Sequence, residues 1–182
     1  AEAPAAPAAG SGEAAAPAAD TFENGVYSTP RFNVRFTLPE GWRRVGAEGE
    51  PGVAGLGTSD DSITFVGPGD IGLRLVVANS ESIQLVDASF SNLTETIGFD
   101  NVRIVPDRTQ ARTFNGIPGY RTEADALLRG EPVPQYIIAQ ALDLPGKPTM
   151  FTIFVNGDQY DLQSATMKAI LDSIEVLDIR PQ

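Results

Sequence analysis

Residues 31–45, RFNVRFTLPEGWRRV, decide the fold that this sequence predicts. In the first half, apolar side chains at Phe32, Val34 and Phe36 alternate with polar ones, the pattern of a strand that buries one face. Pro39 then ends the strand, since proline cannot donate to a sheet ladder, and the glycine that follows tolerates the positive φ of a turn. We therefore predict a strand and a tight turn, after which Trp42 returns to the core.

Further strands are predicted on the C-terminal side of this segment from alternating or continuous apolar runs. They cover residues 53–58, 62–66, 71–78, 102–105, 111–114, 117–126, 133–142 and 149–155. Asn115-Gly116, between two of these strands, is a strong signal for a β-hairpin turn. In the strand after this turn, alternation predicts a solvated face that carries Arg121, Glu123 and Asp125. The run 149–155 is apolar on both faces, which predicts a position at the centre of the sheet.

Two helices are predicted from a 3.6-residue apolar period. The first covers residues 82–97, with Gly98 in the place of a C-cap glycine. The second covers about residues 160–174, and its apolar side includes Met167, Ile170 and Leu171. The order of strands, helix, strands and helix predicts an α+β fold with an antiparallel sheet and helices on its faces.

The composition limits the chemistry of the chain. Its 182 residues include no cysteine and no histidine, which excludes disulfides, thiol nucleophiles, Ser-His-Asp triads and His- or Cys-ligated metals within the chain. Twenty-four acidic and 13 basic residues give a formal charge of −11, which disfavours nucleic acid as a partner. No apolar run approaches the roughly 18 residues that a membrane span needs, so no direct membrane span is predicted.

The N-terminal segment differs in composition from the rest of the chain. Residues 1–20, AEAPAAPAAGSGEAAAPAAD, are mostly alanine with three prolines and have no aromatic or large aliphatic side chain. Such a segment cannot bury enough surface to offset its ordering entropy. We therefore divide the chain into an Ala/Pro-rich extended arm or linker, residues 1–25, and an α+β domain, residues 26–182. The start at Ala1 favours a signal peptide removed on export, and an arbitrary start point is the alternative.

Three stretches together resemble the PsbP-like family. They are the strand and turn RFNVRFTLPEGWRRV, the hairpin FNGIPGYR of residues 114–121 and the closing helix SATMKAILDSIEVL of residues 164–177. That family includes the extrinsic lumenal subunit of the oxygen-evolving photosystem, a eukaryotic Ran-binding import factor and many exported bacterial proteins. The resemblance covers about residues 26–177. It implies a twisted antiparallel sheet sandwiched by helices, and a binding or assembly module rather than an enzyme.

Trp42, Arg43 and Arg44 are assigned to a protein interface, because Trp and Arg are enriched at the centres of interfaces. The other interpretation, which the sequence favours, is that Trp42 anchors the core beside two solvated arginines. The arm is expected to add extended contacts from Ala1, Pro4, Pro7 and Pro17.

A hard-cation site is a weaker candidate. Asp60, Asp61 and Ser62 offer oxygen ligands, with Asp70 as a further one, but their spacing matches no calcium loop. Asp and Ser also serve turns, and the sequence favours a solvated turn here. No catalytic, metal or cofactor residue is assigned.

From these observations we expect a non-catalytic, exported binding or assembly module. It would be a peripheral (extrinsic) subunit that binds the subunits of a membrane protein complex, in the periplasm or another extracytoplasmic compartment. The resemblance makes a photosynthetic complex one candidate for this membrane complex. The alternative is a small-molecule carrier or sensor with a pocket between sheet and helix. A third hypothesis, a carboxylate-dependent hydrolase, requires two acidic side chains that converge in a cleft.

Overall fold

The structure is a computed structural model, and it describes residues 19–45, 62–77, 99–108, 110–128, 134–142, 144 and 149–177. The predicted helix 82–97, the predicted strand 53–58 and residues 1–18 of the predicted arm lie outside the described residues.

The described strands form two antiparallel sheets. The large sheet follows the order β4 (Arg43–Arg44), β5 (Ser62–Gly67), β6 (Ile71–Val77), β11 (Thr149–Asn156), β10 (Pro134–Leu142), β9 (Ile117–Leu128) and β7 (Phe99–Ile104), and β8 (Gln110–Phe114) also pairs with β9. The small sheet follows the order β1 (Thr21–Glu23), β2 (Val26–Thr29), β3 (Val34–Thr37) and β12 (Glu175–Val176). Helix α1 (Tyr160–Asp172) precedes β12, and one-turn 3₁₀ helices cover Pro30–Phe32, Pro106–Arg108 and Gly157–Gln159. The predicted antiparallel α+β fold is confirmed.

The main core lies where the small sheet and α1 meet one face of the large sheet. Phe36 of the small sheet meets Phe65 and Phe151 of the large sheet edge to face, with ring centroids 5.6 and 6.0 Å apart. From α1, Met167, Ile170 and Leu171 are buried in the same cluster, as their helical spacing predicts. Burial of these aromatic and aliphatic side chains is the main stabilising contribution to the packing of the two layers.

Strand β11 is buried on both faces. Its residues Phe151, Ile153 and Val155 belong to the main core, while Met150 and Phe154 belong to a second cluster on the opposite face of the sheet. The strand also lies between β6 and β10, so the predicted central position is confirmed.

The segment 31–45 forms its predicted strand and turn, but the strand begins later than predicted. Phe32 lies in the 3₁₀ helix before it, still buried, and β3 starts at Val34 after Asn33 turns the chain with a φ of 58°. Gly41 takes the positive φ expected of the turn, 85°. Trp42 returns to the core and is 6% exposed, against the backbone of Gly67.

The Asn115-Gly116 turn joins β8 and β9 as predicted. Both residues have a positive φ, 48° and 83°, as a two-residue hairpin turn requires. The side-chain amide of Asn115 donates a 2.6 Å hydrogen bond to the carbonyl of Ile174, just after α1. The hairpin and the end of the helix are therefore held together.

The prediction of a solvated face on β9 is wrong for two of its three residues. Arg121 and Glu123 are 6% and 5% exposed, whereas Asp125 is half-buried. This face of the sheet lies under α1, whose Asp172 and Lys168 contact the two buried charges. The buried charged pair marks the place where the sheet and the helix form a polar contact.

Among the described residues, no helix has both the length and the apolar character needed to cross a membrane.

Candidate binding site

An open pocket of about 400 Å³ lies between β9 and α1. Polar and charged side chains line it: Arg108, Gln110, Arg121, Glu123, Tyr160 and Lys168. Three cations thus surround one carboxylate, on a chain whose formal charge is −11. A positively lined pocket on an acidic chain is a distinct electrostatic feature.

Four separate elements bring these side chains together, and Gln110 comes from β8. Arg121 and Glu123 are two residues apart in β9 and therefore project from the same face. Tyr160 and Lys168 lie about two turns apart on α1, above that face. Arg108 comes from the 3₁₀ helix before β8 and closes the third side.

Glu123 is the centre of the hydrogen-bond network. Its Oε2 accepts hydrogen bonds from the Tyr136 hydroxyl, from Nη1 of Arg108 at 2.8 Å and from the Tyr160 hydroxyl at 3.2 Å. Its Oε1 lies 3.4 Å from Nζ of Lys168. Both carboxylate oxygens are thus paired inside a site where the Glu123 side chain is only 7% exposed.

The network keeps Glu123 ionised. Burial by itself raises the pKa of the Glu123 carboxyl, but the hydrogen bonds from Tyr136 and Arg108 and the charge of Lys168 outweigh burial and hold that pKa below its ordinary value. Burial, followed by the hydrogen bond to Glu123, raises the pKa of Tyr136 above its ordinary value. The hydrogen bond to Glu123 also raises the pKa of Arg108. These three groups are therefore fixed in one protonation state around neutral pH.

Arg121 is held rigidly on the inner side of the pocket. Its Nη2 lies 2.6 Å from a carboxylate oxygen of Asp172, and its Nε and Nη2 donate to Oε1 of Gln140 at 2.9 and 2.6 Å. Its guanidinium also lies 5.1 Å from the ring centroid of Phe114. With so many of its donors engaged, Arg121 contributes a fixed charge rather than a mobile one.

Arg108 and Lys168 form the outer rim. Their side chains are 48% and 41% exposed, and both lie over the ring of Tyr160, at 5.9 and 6.0 Å from its centroid. The Tyr160 ring in turn lies 3.7 Å from that of Tyr136. The contact between the two tilted tyrosine rings and the cation–π contacts thus hold the two exposed cations at the pocket mouth.

A second basic feature lies at the edge of the large sheet. Arg43 and Arg44 form β4 and are exposed, whereas Trp42, the third member of the predicted interface, is buried. Ala1, Pro4, Pro7 and Pro17 lie outside the described residues. No described contact tests the interface assignment, which stays a prediction.

Asp20 connects the predicted arm to this edge. Its Oδ2 accepts a 2.8 Å hydrogen bond from the Tyr27 hydroxyl and lies 3.4 Å from both Arg31 and Arg44. β1 then follows within residues 1–25 and pairs with β2. The chain thus enters the domain beside Arg44.

Only two of the four candidate cation ligands, Ser62 and Asp70, lie among the described residues. Asp60 and Asp61 lie outside the described residues, Ser62 begins β5, and Asp70 lies in the turn between β5 and β6. In the described ranges, no group of three acidic side chains is placed to hold a metal ion.

Sequence reasoning missed the Glu123 pocket. One signal was present: Lys168 and Asp172 lie four residues apart along the edge of the apolar stripe of α1, and β9 carries an alternating charged face. Those two patterns are complementary in charge. Only the three-dimensional structure shows that Lys168 and Asp172 of α1 reach Glu123 and Arg121 of β9.

The fold is of the PsbP/Mog1 class, with an antiparallel sheet covered on one face by a helix and a small second sheet. Cyanobacterial PsbP (CyanoP) from Synechocystis sp. PCC 6803 is similar with a TM-score of 0.61 and 17% identity, over 83% of this chain and 91% of that one. The Ran-binding protein Mog1p of Saccharomyces cerevisiae has a TM-score of 0.51 and 11% identity, over 80% of this chain and 91% of that one. No family model and no curated protein matches the sequence significantly. At these identities the likeness concerns the fold.

Proposed function

We propose that the chain is a non-catalytic, exported binding module that serves as a peripheral subunit on the extracytoplasmic side of a membrane protein complex. The observation that carries this proposal is the junction at Asp20, where the Ala/Pro-rich arm enters the domain next to the exposed arginines of β4. The shared fold with cyanobacterial PsbP supports the proposal. The sequence resemblance to the PsbP-like family makes a photosynthetic complex one candidate for the membrane complex.

Because of this junction, the arm and the arginines of β4 belong to one proposed docking surface. Asp20 is held by Tyr27, Arg31 and Arg44, so the last residues of the arm have a defined position. Arg43 has no such carboxylate partner among the described residues and is exposed. A basic edge on an acidic chain fits an acidic patch on the partner, and the arm extends the contact without a folded interface of its own.

The state of the pocket supports a binding role rather than catalysis. General acid–base catalysis is most efficient when a group has a pKa near the working pH. In this pocket the pKa of Glu123 is lowered and that of Tyr136 is raised, which moves both away from neutrality. Asp172, a second carboxylate beside the pocket, is bound to Arg121. The hydrolase hypothesis thus lacks a second free carboxylate in the described part of the site.

The test is affinity isolation from crosslinked membranes of the source organism. The full chain is compared with a form that lacks residues 1–18, which leaves Asp20 and β1 in place, and with Arg43→Glu. Arg103→Glu is the matched control, because Arg103 is an exposed arginine on β7, the opposite edge of the sheet. We expect stoichiometric membrane subunits with the full chain and with the control, and their loss or marked reduction with the other two forms. Absence of stoichiometric subunits with the full chain would refute the proposal.

A small-molecule carrier or sensor is the second candidate function. The pocket between β9 and α1 favours it, since a volume of about 400 Å³ lies within the range of ligand sites. Its lining is charged, so the ligand would be polar. Native mass spectrometry of the protein purified from its source tests this function directly, and a bound small molecule in stoichiometric amount is the expected result.

A further inference from the structure

We propose that the pocket around Glu123 binds a carboxylate group. This inference goes beyond the subunit function, because the pocket can receive the carboxylate of a polypeptide or that of a free organic acid. The proposal rests on the charge balance of the pocket, on donors at its mouth that no described residue engages and on the rigidity of its walls.

Among the described residues, the charge balance of the pocket leaves one positive charge uncompensated. The pocket contains three cations, Arg108, Arg121 and Lys168. Asp172 compensates Arg121 at 2.6 Å, and Glu123 is shared by the other two, at 2.8 Å from Arg108 and 3.4 Å from Lys168. One further monovalent anion therefore neutralises the site. A carboxylate supplies that charge, whereas a dianionic phosphate exceeds it.

Arg108 has hydrogen-bond donors at the pocket mouth that no described residue engages. All its hydrogen bonds to described residues come from Nη1, which contacts Glu123, Tyr136 and Tyr160. Its Nε and Nη2 make none with the part of the chain that the structure describes. These two nitrogens form the planar edge of a guanidinium that binds a carboxylate in a bidentate manner.

Lys168 adds a second donor to the same rim. Its ammonium lies 3.4 Å from Glu123 and 3.5 Å from the Tyr160 hydroxyl, which are long contacts, and it is 41% exposed. An incoming carboxylate can therefore draw the ammonium outward without breaking a short ion pair.

The walls of the site are already in place before a ligand binds. Arg121 is fixed by Gln140 and Asp172, and Arg108 lies over the Tyr160 ring. Binding then orders few additional side chains, which lowers its entropic cost.

The experiment is an NMR titration of the full-length, isotopically labelled protein at low salt with three probes. They are acetate, an acetylated and amidated Gly-Glu-Gly peptide whose only charge is the glutamate side chain, and inorganic phosphate. Concentrations up to about 10 mM detect dissociation constants in the millimolar range. We expect acetate or the peptide to shift the signals of Arg108, Tyr160 and Lys168. Tighter binding of the peptide identifies a polypeptide as the source of the carboxylate, and equal or tighter binding of acetate identifies a free acid.

Variants separate the pocket from general surface charge. Arg108→Gln is expected to weaken carboxylate binding by about tenfold, the change expected when one charge-assisted hydrogen-bond donor pair is lost. Lys168→Gln, a substitution on α1 rather than on the 3₁₀ helix of Arg108, is expected to weaken carboxylate binding as well. Arg103→Gln, an exposed arginine outside the pocket, is the matched control and should leave affinity unchanged.

Three results overturn the proposal. They are no shift of pocket signals with either carboxylate, an affinity for carboxylates in Arg108→Gln and Lys168→Gln equal to that of the natural protein, or tighter binding of phosphate than of both carboxylates. None of them bears on the isolation of membrane subunits, so failure here is distinguishable from failure of the subunit function.

Discussion

Nη1 of Arg108 lies 2.8 Å from Oε2 of Glu123, and this ion pair joins the 3₁₀ helix before β8 to the middle of β9. The Glu123 side chain is 7% exposed while that of Arg108 is 48% exposed. The Glu123 carboxylate therefore lies inside the protein, while its cation partner Arg108 reaches solvent. Glu123 thus links the buried hydrogen-bond network to the exposed rim of the pocket.

Glu123→Gln should destabilise the protein. The substitution leaves Arg108 and Lys168 without their carboxylate and weakens the acceptor of the buried Tyr136 hydroxyl, and the free energy of unfolding should fall by about 2 kcal/mol. Urea unfolding measures the change. Glu175→Gln is the matched control, because its pair with Arg35 is half exposed on both sides and should cost less than about 1 kcal/mol. Equal effects of the two substitutions would show that the Glu123 network adds no special stability.

Acid should remove the contribution of Glu123. The pKa of Glu123 in the folded protein is lower than the value of about 4.3 in the unfolded chain. Its stabilising contribution is therefore present above about pH 4.3 and is lost as the pH falls through the folded-state pKa. The difference in unfolding free energy between the natural protein and Glu123→Gln, measured from urea midpoints, should be largest near neutral pH and shrink in acid. If the difference stays constant down to the lowest pH at which both proteins fold, the lowered pKa of Glu123 is contradicted.

Alkaline pH should ionise two tyrosines and lower the stability of the folded protein. Burial and a hydrogen bond to a carboxylate raise the pKa of Tyr27, beside Asp20, and of Tyr136, beside Glu123. Because both folded-state values lie above the unfolded value of about 10, their contribution is complete below pH 10 and is lost as the pH rises beyond it. Spectrophotometric titration of tyrosinate should show a high-pH component. Tyr27→Phe and Tyr136→Phe should each reduce that component, and an unchanged titration curve in both would disprove the shift.

Gly67→Ala should disturb the single tryptophan. A Cβ at position 67 would lie 2.7 Å from Cδ2 of Trp42, so the indole must move and the unfolding free energy should fall by about 2 kcal/mol. A red shift of the tryptophan emission measures the displacement, since Trp42 is the only tryptophan in the chain. Gly116→Ala is the comparison: nothing lies within 4 Å of its Cβ, and its cost of about 1 kcal/mol comes from the positive φ alone. Unchanged emission in Gly67→Ala would show that Trp42 has room to adapt.

Local patterns were sufficient to predict several elements of this fold. The helical spacing of Met167, Ile170 and Leu171 predicts the buried side of α1, and Asn115-Gly116 predicts the β8–β9 turn. Each of these signals depends on residues that are neighbours in sequence. The apolar character of both faces of β11 likewise predicts its central place without knowledge of its neighbours.

The pocket could not be predicted in the same way. Alternation in β9 shows that Arg121 and Glu123 share a face, but it does not show what covers that face. Their burial depends on α1 and on the turn with Arg108, which are remote in sequence and are brought near by the topology. Phe32 gives a smaller example, because a left-handed Asn33 after it makes a 3₁₀ turn where alternation predicts a strand.

The most direct test of the central claim is the migration of the endogenous protein in gently solubilised native membranes, on a sucrose gradient or a native gel. The account predicts that the protein migrates with a membrane complex in fixed stoichiometry and is released by high salt, because the proposed docking edge is basic. Migration only as a free monomer, at low as well as at high salt, would contradict the account.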